Sequence, residues 1–104
     1  MEEQLAINKL SEVYVAGTNF YVNAGNSYDQ TGNIEETGKY FEKAVEKLRR
    51  GEIMTEVYKE EGILGDYWYQ QSVDSFSALR QCLKDLRENV SNAEEQKRKE
   101  SNNK

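Results

Sequence analysis

Residues 21–33, YVNAGNSYDQTGN, hold two glycines and four asparagines or aspartates in a chain that has no proline. Such a composition ordinarily marks a loop. The stretch nevertheless stands between two segments of helical periodicity. Read as a loop, it would divide the chain. Read as a helix, it makes the chain a set of helical hairpins and gives its glycines packing or turn roles.

The flanking segments favour the second reading. Before the stretch, residues 3–16 place Leu5, Leu10, Val13 and Tyr14 near one face, with acidic residues in the first turn where the helix dipole favours them. Gly17-Thr18 then reads as a glycine stop followed by an N-cap. After the stretch, Asn33 is placed to cap a helix, with Glu36 at its third position. Ile34, Thr37, Phe41, Ala44, Val45 and Leu48 follow at helical spacing, and Gly51 reads as the stop. Glu35 with Lys39 and Glu46 with Arg50 are i, i+4 pairs on its outer side. A shorter helix is expected over 52–61. Gly62-Ile-Leu-Gly65 punctuates the chain, and Asp66 is placed to cap a final long helix. Its apolar positions Tyr69, Phe76, Leu79, Leu83, Leu86 and Val90 alternate in steps that sustain a heptad register. The expected architecture is all-α: about five helices in hairpins, with a long C-terminal helix. A single helical domain is expected over 1–90, with a polar, frayed or disordered tail over 91–104.

Composition sets the limits on function. Net charge is −5, with 37% hydrophobic and 32% charged residues, so direct nucleic-acid binding and membrane binding are both disfavoured. No apolar run approaches the ~20 residues of a membrane span, and the acidic opening Met-Glu-Glu-Gln is unlike a signal peptide. The lone Cys82 excludes an intramolecular disulfide and fits a reducing, cytoplasmic location. There is no histidine, which removes nucleophile–base pairs built on imidazole. Cys82 reads as a small buried hydrophobe. Glu52, Glu56 and Glu60 share a helix face, but no second carboxylate cluster matches them, and they read as a solvated row. No cofactor, metal site or catalytic residue is expected.

Between Thr18 and Gly51, large and small residues follow an order: Tyr21-x2-Ala24-Gly25-x2-Tyr28, then Gly32, then Thr37-x3-Phe41-x2-Ala44. This resembles one tetratricopeptide repeat, a helical hairpin of about 34 residues. Tyr21, Ala24, Thr37 and Arg49 stand where that family usually has tryptophan, leucine, alanine and proline. The resemblance implies that Gly25 lets the second helix approach the first, that Tyr28 and Phe41 fill the space between them, and that Gly32 makes the turn. A generic helical-bundle hairpin is the alternative. Residues 19–31 are helix in both.

The resemblance also implies that the first helix of the pair faces a protein or peptide partner through Asn19, Val22, Asn23, Asn26, Asp29 and Gln30. Carboxamides suit this role because each offers both a donor and an acceptor. Tyr67, Trp68 and Tyr69 are consecutive at a helix start and spread through roughly 200°, so one packed face cannot hold them all. Tyr67 and Trp68 are therefore further candidates for partner binding. The heptad face Phe76, Leu79, Leu83, Leu86 and Val90 is a candidate for self-association in a homodimer. The expected function is a non-enzymatic protein–protein interaction module: an adaptor, chaperone or regulator. The alternative is a small acidic inhibitor that blocks a basic or nucleic-acid-binding site on a target enzyme.

Overall fold

Three helices, α1 (Glu2–Thr31), α2 (Ile34–Glu60) and α3 (Asp66–Asn102), make up the computed structural model, which describes residues 2–102. The chain is all-helical among these residues, as expected, but three long helices replace the five. Residues 21–31 are the last part of α1. The difference in helix number arises at Gly17 and Gly51, which are buried inside α1 and α2 and end neither.

Both glycines are packing residues. On α1, Leu10, Val13, Gly17, Phe20 and Ala24 recur in steps of three and four; on α2, Ala44, Leu48, Gly51 and Thr55 do the same. Two antiparallel helices joined by a short turn bring these rows together, and their small residues let the axes approach. α3 then lies along the hairpin. A Cβ on Gly17 would sit 3.0 Å from Leu79 Cδ2 and 3.3 Å from Lys47 Cβ. A Cβ on Gly51 would fall within the van der Waals envelope of the Phe76 ring, 2.9 Å from Cδ1 and closer still to Cε1 and Cζ. The glycines thus form notches that α3 fills. Gly25 lies off this row and a Cβ there would meet nothing within 4 Å, so no helix crosses at Gly25 as the repeat resemblance implies.

The core is centred on α3. Phe76, Leu79 and Leu83 are buried together with Ala6, Leu10, Ala44, Leu48 and Leu64. Tyr14 meets Phe76 edge-on, with ring centroids 5.8 Å apart. Helices of this length stacked side by side give a rod of 63 × 18 × 15 Å.

The first turn forms as the sequence predicts. Gly32 adopts a φ of 64°, and its N–H donates to the Tyr28 carbonyl at 2.8 Å. Asn33 Oδ1 accepts from the Glu36 N–H at 3.1 Å. Asn33→Ala leaves that donor to water and should cost about 1 kcal/mol in urea denaturation; an unchanged midpoint would show that the cap does not stabilise the hairpin. At the second turn, Gly62 takes a φ of 75°. The Gly65 carbonyl accepts the first α3 bond, from Tyr69 N–H at 2.9 Å, so Gly65 holds the cap position expected of Asp66. Asp66 instead pairs with Lys59 at the end of α2.

α3 also continues past Val90 and is helical through Asn102. Tyr28 Oη donates to Glu94 Oε1 at 3.0 Å, and Lys97 Nζ lies 5.6 Å from the Tyr28 ring centroid. One tyrosine on α1 thus gives this polar segment an anchor. The part of the expected tail at residues 103–104 lies outside the described residues.

Candidate functional site

α1 presents a long outer face to solvent. Asn19, Val22, Asn23, Asn26, Asp29 and Gln30 are all exposed on it. The structure adds two apolar side chains that the sequence reading took as core or passed over: Leu5 is 62% exposed and Val15 51%, beside Val22 at 46%. Asn8, Val15, Val22 and Asp29 repeat at i+7, with Leu5, Glu12, Asn19 and Asn26 alongside, so these side chains share one side of the helix. The signal for this face was the Val15–Val22 spacing, in a helix that the sequence reading had divided at Gly17. This face is the outside of a slender rod.

Lys9 is the only cation in α1, against Glu2, Glu3, Glu12 and Asp29. The face is therefore amide-rich and weakly acidic, with three aliphatic side chains.

A second exposed group sits where α3 begins. Tyr67 is 65% exposed and Trp68 40%, with their rings edge-to-face at 5.0 Å. Trp68 borders a groove of about 200 Å³ between α1 and α3 that is also lined by Ile7, Leu10, Tyr14 and Phe76. Tyr69 turns to α2, where its hydroxyl donates to Glu56 Oε1 at 2.6 Å. That hydrogen bond, more than burial, raises the Tyr69 hydroxyl above its ordinary range.

Phe76, Leu79 and Leu83, placed by the sequence in a self-association face, are buried within the chain. The heptad pattern of α3 is satisfied by α1 and α2, so these three are unavailable to a second copy while the bundle is closed. Leu86 and Val90 remain partly exposed and line a groove between α2 and α3.

The remaining polar groups read as structural. Arg80 donates from Nε to Glu52 Oε2 at 3.0 Å and also pairs through its Nη2, which raises the guanidinium pKa further. Lys59 holds the Asp66 carboxyl below its usual range, by hydrogen bond and then by charge. The Glu52–Glu56–Glu60 row is thus partly engaged in joining α2 to α3. Cys82 is half-buried, and Tyr21 beside it has its hydroxyl raised by burial first and by Cys82 second. Glu35–Lys39 pairs at 3.8 Å, whereas Glu46 makes no ion pair with Arg50. No helix among the described residues is long and apolar enough to cross a membrane.

No family model, curated protein or solved structure matches the chain.

Proposed function

We propose that this chain is a non-catalytic protein–protein interaction module that binds its partner through the outer face of α1. The observation that carries the reading is the row of exposed Leu5, Val15 and Val22 among amide side chains. Three aliphatic side chains on one solvent-facing side of a helix leave apolar area that a partner helix or strand can cover. The neighbouring asparagines can satisfy polar groups at the rim of such a contact. Tyr67 and Trp68 provide a second anchor at the same end of the rod as Leu5. The proposal stands on this exposed face rather than on the tetratricopeptide resemblance. It includes a regulatory or adaptor role in a reducing compartment.

The acidic balance of α1 supports a second reading, an inhibitor that covers a basic site on an enzyme. Salt separates the two, because charge mimicry is screened and apolar contact is not.

The immobilised chain should retain its partner from the native source at high salt. Val15→Glu with Val22→Glu should weaken that binding by at least about tenfold, equivalent to 1.4 kcal/mol. Stability should change by no more than about 0.5 kcal/mol, because both positions are exposed. Retention unaffected by the double substitution would remove α1 from the interface. Retention lost on adding salt to the unmodified chain would favour the inhibitor.

A further inference from the structure

The groove between α2 and α3 carries a separate inference, independent of the partner face on α1. Over the half of the rod nearer the first turn, α3 no longer closes fully against α2. An open groove of about 870 Å³ runs between them, lined by Phe41, Val45 and Leu83. It adjoins an almost wholly apolar hollow walled by Ile34, Phe41, Leu86 and Val90. Gly38 lies on its α2 side, and a Cβ there would meet nothing within 4 Å. The side chains at this end leave the space open, and Ile34 is left 44% exposed.

Near the first turn the charges on the two walls are sorted by sign. Glu42 and Glu46 stand on the α2 wall, and Lys84 and Arg87 on the α3 wall; farther along, the groove ends between Arg49 on α2 and the Glu52-paired Arg80 on α3. None of the first four takes an ion pair within the chain. The stretch short of Arg49 is therefore self-complementary: apolar along its middle, acidic on the α2 side and basic on the α3 side.

We infer that this face is the interface of a homodimer whose twofold axis runs parallel to the helices. An axis across the helices would lay α3 against α3 and set Lys84 and Arg87 against their own copies. An axis along the helices lays α3 of each copy on α2 of the other at the same height. Arg87 then meets Glu42 of the second copy, Lys84 meets Glu46 of the second copy, and the two apolar hollows close over each other. Such a contact is isologous, so it ends at two copies. Leu86 and Val90 take part, while Phe76, Leu79 and Leu83 stay in the core. The α1 face and the Tyr67–Trp68 pair remain outside the contact. The covered stretch, residues 34–46, is about 18 Å of helix. An interface this short lies at the small end for dimers, so association is to be sought at high concentration, from about 10 to 300 µM.

Sedimentation equilibrium over that range at low salt tests the inference. The unmodified chain should approach twice its monomer mass of 12.1 kDa. E42K/E46K and K84E/R87E should each stay monomeric with an unchanged helical circular dichroism spectrum, because like charges then face each other. Mixed in equal amounts, the two variants should recover the dimer mass. A strict monomer for the unmodified chain overturns the proposal, as does a dimer that either reversal leaves intact. Failure of the mixed variants to associate overturns it too. Loss of partner binding through α1 would leave all these masses unchanged, so the two proposals fail separately.

Discussion

Phe76→Ala should destabilise the protein by about 3–5 kcal/mol, the cost of emptying a buried aromatic site. Phe76 is only 2% exposed, and its ring stands between Tyr14 on α1 and Gly51 on α2. It is therefore the point at which α3 locks onto both helices of the hairpin. Because Gly51 has no side chain, α2 has nothing that could move in to fill the vacated space. Against a total stability of about 5–15 kcal/mol for a domain, such a loss is large enough to populate the unfolded chain. Urea denaturation should show a lower midpoint with an unchanged slope. A loss below about 1 kcal/mol would mean that the ring does not hold the three helices together.

The second large effect is the opposite of what helix propensity alone suggests. Gly51→Ala in a helix interior would ordinarily gain about 1 kcal/mol. Here the added methyl meets Phe76, and that ring is buried with Tyr14 edge-on to it, so it cannot swing away freely. Gly51→Ala should therefore be net destabilising, and Gly51→Leu should lose about 1–3 kcal/mol or more to overpacking. Shortening the opposing side chain with Phe76→Leu should partly relieve Gly51→Ala. The two changes should then deviate from additivity by at least about 0.5 kcal/mol, as expected of residues in contact. Gly25 is the control: it lies inside α1 with open space around its would-be Cβ. Gly25→Ala should stabilise by up to about 1 kcal/mol. Equal responses at the two glycines would contradict the packing described here.

The same two glycines show what the sequence could and could not convey. The turn at Gly32-Asn33 was legible because its signals are local: a positive φ, a cap and a third-position glutamate lie within a few residues. The long heptad register of α3 was legible for the same reason. Gly17 and Gly51 were misread because a glycine after a periodic run looks the same locally whether it ends a helix or continues one. What separates the cases is register: both glycines fall on the packed row and Gly25 does not, and a row gains meaning only once its partner helix is known. The α3 heptad has the matching ambiguity. Phe76, Leu79 and Leu83 would look alike facing a second copy or facing α1 and α2, and the structure places them inside. The continuation of α3 over residues 91–102 was hidden because its contact with the rest of the chain is Tyr28, far away in sequence.

The candidate site was legible in part. Asn19, Val22, Asn23, Asn26, Asp29 and Gln30 are exposed as expected. Their continuity with Val15 and Leu5 became visible only when α1 proved unbroken. The charged groove was not legible at all, since Glu42 and Arg87 come to line one groove only through the pairing of α2 with α3.

The continuity of α1 and α2 through Gly17 and Gly51 therefore underlies the fold, the partner face and the groove alike. Native-state amide hydrogen exchange resolved at residues 16–20 and 50–54 tests it most directly. Protection at these amides should match that of their buried neighbours, within about tenfold of Leu10 and Leu48, as expected within one cooperative unit. Exchange at the rate of a frayed end at either glycine would show a helix break there and contradict the account; breaks at both would restore the five-helix arrangement, and one at Gly51 would contradict the packing of Phe76 on it.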